Sequence, residues 1–377
     1  MYSKIIVFFL LIFLGMVLKK KFSGKFEKLG IKNFILNISL PATIFISFIS
    51  FEVNLEYTFL PLIGIAFNFF IFLLSPLLLK FSVIHTNPQK SRTLLLLLSS
   101  FAPGISCFPI IEEFLGSEYL VKASLLDFGN KVFVLVFLLG FSFHLHKITQ
   151  GFRKRKNKIS VKKILKSVFL EPINLVLVAS ALMLSFGFNI DQVPEILVNF
   201  ISRLKDTLTP LVLIFIGLSI IFAKDALKEI IPILLIRAGI CLLITSLLIH
   251  FLGVVNSGEI AFYLILAFSS VSFWPFAHMT LIQKIEKNEN SKKRTFDIAF
   301  GLNFLAYSLP FSTILILLFL SNSDKLSNLP SLLIFSLSMI TVGFLIMSIS
   351  SKLDYLEQKN LEKKKKKSLI YFYKMFL

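Results

Sequence analysis

The chain has 377 residues, 56% of them hydrophobic and only 16% charged, with a mean hydropathy of +0.83. Soluble domains carry roughly 25% charged residues, and a water-solvated fold could not bury this much apolar side chain, so lipid must be the solvent. A formal charge of +19 would suit a nucleic-acid partner, but Lys and Arg sit in short segments between apolar runs. That placement points to membrane topology and to no nucleic acid.

A bilayer core about 30 Å thick needs about 20 apolar residues in helical form. Backbone groups in lipid must be satisfied within their own segment, so each run is a helix. In chain order the sequence predicts spans over 3–18, 34–50, 58–79, 93–114 and 121–144, closing a first unit at 1–145. Lys19, Lys20 and Lys21 follow the first run with no small-residue cleavage site, so it reads as a retained helix. A basic loop at 146–167 leads to spans over 168–188, 195–222, 230–252, 260–283 and 296–320, a second unit at 168–320. The seventh carries Arg203, Lys205 and Asp206, which suits an interfacial first half. An additional span at 329–350 and a basic tail at 351–377 complete about eleven transmembrane helices in an all-α integral membrane fold. In the tail, the five lysines of 363–367 read as a topology anchor or a contact with anionic head groups.

Loop charge fixes the orientation. With the N-terminus outside, 33 Lys and Arg residues fall on the cytoplasmic side and five outside, leaving Lys131 and Arg237 within spans. A helix missed or invented mid-chain would destroy that asymmetry. Cys107 and Cys241 lie within apolar runs and lack the spacing of a disulfide framework or a metal site. No metal and no cofactor is expected.

Spans one to five and six to ten read as two copies of one unit. Asn37-Ile38-Ser39-Leu40-Pro41 enters the second span, and Asp206-Thr207-Leu208-Thr209-Pro210 enters the seventh. The fourth span is broken by Pro103-Gly104 and Pro109, the ninth by Pro275. Pro41 and Pro103 are 62 residues apart, Pro210 and Pro275 65. Spans five and ten carry Phe128-Gly129-Asn130 and Phe300-Gly301-Leu302-Asn303. Five is odd, so the second copy runs oppositely through the membrane, giving a 5+5 inverted repeat with broken crossover helices four and nine. Secondary transporters use such repeats and bind solutes near the midplane where the breaks meet. Helix N-termini there offer partial positive charge to an anion.

At these residues the chain resembles the auxin efflux carrier family, which includes plant auxin exporters and bacterial permeases for dicarboxylates such as malate. The resemblance covers residues 1–320. It rests on 36–45 (LNISLPATIF), 104–116 with Pro109, 123–130 (ASLLDFGN), Glu171-Pro172 and 208–218 (LTPLVLIFIGL). It implies ten helices, outward termini and an elevator movement in which spans three to five and eight to ten travel against a scaffold of one, two, six and seven. The chain departs from the family pattern in two places. Ala102 and Pro103 stand where the family has Asn ahead of Gly and the proline, and the span at 329–350 is additional, reversing the side of the C-terminus.

Charges and amides inside the spans are the remaining candidates, since each needs a partner or a purpose there. Asp127 and Lys131 share a helix face four residues apart and read as an ion pair, either a coupling device or a permanent structural pair. Asn130 and Asn303 are the repeat-related amides expected near the crossover. His278, three residues past Pro275, is either a proton-responsive group or a packed side chain. Arg237 reads as snorkelling or anion-attracting, and Glu112 and Glu113 as solvated acids at an outer helix end. No nucleophile elbow, phosphate loop or paired-acid motif is present, and the short loops speak against an enzyme. The sequence therefore predicts a permease for a small organic anion such as a carboxylate, in the cell membrane, with the lipid bilayer as its solvent. The candidate site is Ala102, Pro103, Gly104, Pro109, Asp127, Asn130, Lys131, Pro275, His278 and Asn303. Proton or sodium coupling, the latter in a bile-acid-symporter-like architecture, and a homodimer stay open, as does a non-transporting membrane enzyme or scaffold.

Overall fold

A computed structural model describes residues 2–22, 24–50, 57, 59–80, 87–151, 172–186, 188–220, 224–289, 291, 293–322, 328–350 and 352, and the structural statements concern these. Most of the 146–167 loop and of the 351–377 tail lies outside them, as do 168–171 and 221–222 at the ends of two predicted spans.

Among the described residues the protein is helical and has no strand. The first half contains α1 (Tyr2–Leu18), α2 (Phe26–Ile49), α3 (Leu60–Lys80), α4 (Pro88–Leu98), α5 (Pro103–Ser106), α6 (Phe108–Phe114) and α7 (Ser117–Gln150). The second contains α8 (Pro172–Ser185), α9 (Glu195–Lys205), α10 (Leu208–Ser219), α11 (Lys224–Phe251), α12 (Ser257–Ala267), α13 (Trp274–Asn288) and α14 (Ile298–Ser321), followed by α15 (Leu329–Ser350). Within these, α2, α3, α7, α11, α14 and α15 each contain a stretch long and apolar enough to cross a bilayer; the 21 residues of α3 rise about 31 Å. The protein is a multi-pass helical membrane protein.

Local chemistry explains the interruptions. Pro41 cannot donate to the preceding turn, and α2 absorbs this with a π-turn over Ile35–Ser39, where the Leu40 N–H reaches back to the Ile35 carbonyl. The fourth predicted span divides into α4, α5 and α6, because Pro103 and Pro109 each remove a donor and occupy helix-start positions. The ninth divides into α12 and α13 across Phe268–Phe273, with Pro275 near the start of α13. The seventh divides at Asp206-Thr207 into α9, which buries no residue, and α10.

Packing sorts the helices into two groups. α1 lies along α10, and α2 packs against α8 and α9. The second group is built on α3 against α7, with α4 packing on α3 and α14, and α13 on α7 and α14. α3 and α7 approach backbone to backbone: a Cβ on Gly64 would strike the Leu126 carbonyl and one on Gly129 the Pro61 carbonyl. α15 seats on α11 in a similar manner, with Gly239 against Ser336 and Gly343 against Pro232.

Candidate functional site

The two interrupted spans cross in the middle of the second helix group. Ala102 donates its N–H to the Ser270 carbonyl (2.8 Å) and approaches Ser269 Oγ (3.2 Å). The Ser270 N–H donates to Ser106 Oγ (3.1 Å), the Ser272 N–H to Ser100 Oγ (3.3 Å), and the Ser106 and Ser269 hydroxyls lie 3.3 Å apart. Each break therefore uses the other to satisfy groups that lipid would leave unpaired. Small hydroxyl side chains suit the place, because each one donates or accepts without holding the strands apart.

Arg237 closes the crossing. It projects from α11, is 4% exposed, and spreads its fork over both breaks. Nε donates to the Leu98 carbonyl (3.0 Å), Nη2 to Ser100 (2.9 Å) and Nη1 to Ser269 (2.8 Å). These carbonyls belong to the C-terminal ends of α4 and α12, which carry partial negative charge and lack helical partners. The guanidinium also lies 4.3 Å from the Phe101 ring centroid. Snorkelling does not describe this residue: its charge is spent on main chain.

Asn130 holds the first break from α7. Its Nδ2 donates to the Phe101 carbonyl and to Asp127 Oδ1, both at 2.8 Å, while its Oδ1 faces the Phe101 N–H at 3.4 Å. Asp127 in turn lies 3.4 Å from Lys131 Nζ, which reaches Asn174 Oδ1 on α8 at 3.3 Å. All three α7 residues are buried. The ion pair expected from their spacing is present, and it links the crossing to the first helix group.

The structure thus brings Ala102, Pro103, Gly104, Asp127, Asn130 and Lys131 together, with Pro109 in the first turn of α6 and Pro275 at the start of α13. Asn303 is not among them. Its side chain is exposed on α14, and two hydroxyls from later in that helix serve the second break: Ser308 Oγ accepts the Val271 N–H (2.8 Å) and Ser312 donates to the Phe268 carbonyl. His278 is 6% exposed on α13, and its Nδ1 finds no partner among the described residues.

Sequence reasoning missed three further groupings. Glu112 and Glu113 are not simply solvated: Glu112 pairs with Lys205 of α9 (2.5 Å) and Glu113 with Lys4 of α1 (2.8 Å), so α6 is tied to the first helix group. A cavity of about 630 Å³ adjoins these pairs, with Thr43, Asp206 and Thr209 in its wall. At the end of the bundle bearing the Lys- and Arg-rich loops, buried Glu286 accepts from the Thr295 N–H (2.9 Å) and lies 3.1 Å from His146 Nδ1. A charge count by loop gives no signal for either cluster, since partners 93 or 140 residues apart meet only in the fold.

No family model matches the chain. The chain is similar to an uncharacterized transporter of Methanocaldococcus jannaschii, 27% identical over 201 residues. The match covers 52% of this chain and 61% of that transporter's length.

Proposed function

We propose that the protein is a secondary carrier that moves a small organic carboxylate across the cell membrane by alternating access. One observation carries this reading: two spans break at the same buried place and complete each other's backbone bonding through Ala102 and Ser270. Continuous helices would pack more simply; discontinuous ones deep in a membrane protein place main-chain dipoles where a solute meets them. Similarity to a transporter supports the general class. In this reading the carboxylate lies beside the break at Pro103 and faces the start of α13 at Trp274, where partial positive charge gathers. The body built on α3–α7 and α11–α14 shifts against α1, α2 and α8–α10, and the Lys4–Glu113 and Lys205–Glu112 pairs open as it does.

The test is flux into proteoliposomes with labelled dicarboxylates and aromatic carboxylates, at imposed pH and sodium gradients. Saturable uptake of at least one carboxylate is expected. Absence of flux across the whole panel in correctly folded protein would reject the reading. Proton coupling through the α7 ion pair further predicts that Asp127→Asn transports downhill with its pH dependence removed.

A further inference from the structure

A second cavity, of about 110 Å³, has no residue of α1 or α2 in its lining. Its walls come from α3, α7, α11 and α12, and its floor is the crossing itself, through Phe101, Asn130 and Ser269. The Phe67 and Phe101 rings, centroids 5.4 Å apart, form an aromatic wall, with Tyr263 also in the lining. Among the lining residues there is no ionisable Asp, Glu, Lys, Arg or His. At the rim, Ile63, Leu248 and Leu252 are exposed apolar side chains on the outer surface of the bundle, where a membrane protein meets lipid.

One polar atom of a lining residue is unexplained. Asn68 is 2% exposed, and its Nδ2 donates to the Gly64 carbonyl at 2.6 Å. That bond fixes the amide orientation, since only the nitrogen can face a carbonyl. Oδ1 therefore points the other way, and it meets no donor among the described residues. Leaving a buried amide oxygen unpaired costs about 1–3 kcal/mol. Leu, with the same branched skeleton and no polar atom, would avoid that cost in an apolar wall.

We infer that this cavity is a binding site for a small, neutral, single-ring molecule with one O–H or N–H donor, entering from the lipid side and donating to Asn68 Oδ1. An engineered apolar cavity of about 150 Å³ accepts benzene, so a volume of about 110 Å³ with an open rim is on the scale of one ring. The aromatic wall favours a flat partner. The lack of charge in the lining disfavours a carboxylate, which would also face the acceptor of Asn68. This site shares Pro103 and Asn130 with the site proposed for the carried anion but differs from it in ligand class, being lined without charge. Its occupant would rest on Phe101 and Ser269, the residues through which the two breaks are joined.

Fluorine NMR of the full chain in lipid nanodiscs tests this without measuring flux, so its outcome is separate from that of the carrier reading. The probe is 4-fluorophenol, with 4-fluorotoluene lacking the donor and 4-fluorobenzoate carrying a charge. Saturable 4-fluorophenol binding at one site per chain, displaced by phenol and not by benzoate, is expected above the non-saturable partition into lipid. Asn68→Leu should weaken 4-fluorophenol about tenfold, the equivalent of one hydrogen bond of about 1.4 kcal/mol, and leave 4-fluorotoluene unweakened. Ile63→Trp, at an exposed rim position, should abolish binding of both. No saturable binding, equal affinity in folded Asn68→Leu, or full binding in Ile63→Trp would overturn the inference. If Asn68→Leu does not fold, the Ile63→Trp result decides.

Discussion

The two breaks solve one problem with different side chains. At the first, a single carboxamide from α7 serves both main-chain groups of Phe101 and is itself held by Asp127. At the second, two serines of α14 share the task, Ser308 taking the Val271 N–H and Ser312 giving to the Phe268 carbonyl. What the membrane demands is that each freed N–H and C=O find a partner; which residue supplies it is left to the sequence. The amide at 130 is thus part of a network extending to Lys131 and α8, whereas the serines end at the bonds they make.

Arg237 is common to both breaks, so its loss should be the largest single effect. Arg237→Ala leaves three buried carbonyls without their charged donor and is expected to cost about 3–5 kcal/mol, read as the unfolding free energy in detergent. Arg237→Lys should recover only part of that, because an ammonium cannot spread over carbonyls from two helices as the planar fork does. Full recovery by Lys would show that charge alone matters.

Asn130→Ala follows, at about 2–3 kcal/mol, since it frees the Phe101 carbonyl and disturbs Asp127. Ser308→Ala removes one bond and should cost about 1 kcal/mol by the same measurement. Equal costs at the two positions would erase the distinction drawn between the breaks. Asn303→Ala is expected to stay within about 0.5 kcal/mol and to leave flux unchanged, as befits an exposed position.

That last contrast shows how far the sequence could be read. The helices follow from apolar run length, and the interruptions from proline, because a missing N–H acts on its own turn whatever surrounds it. Asp127 and Lys131 were legible for the same local reason, four residues on one helix. Asn303 was expected to mirror Asn130 through the matched Phe-Gly motifs, yet α14 offers the crossing its face at Ser308 and Ser312 instead. A lone Arg in an apolar run gives no clue that three carbonyls from two distant segments converge on it. Serine is too common in spans for Ser100, Ser106 and Ser269 to stand out. Long-range pairing, as between Lys205 and Glu112, is fixed by how helices lie in space, and charge counts register only the side of the membrane.

The seating of α15 on α11 has a mechanical corollary. With Gly239 under Ser336 and Gly343 under Pro232, the two helices touch through main chain, leaving little slack for one to slide while the other stays still. α15 is therefore ballast fastened to the helix that bears the guanidinium. In the proposed carrier, anything that anchors the chain beyond Ser350 would resist displacement of that whole body, and anything that releases it would lighten the load.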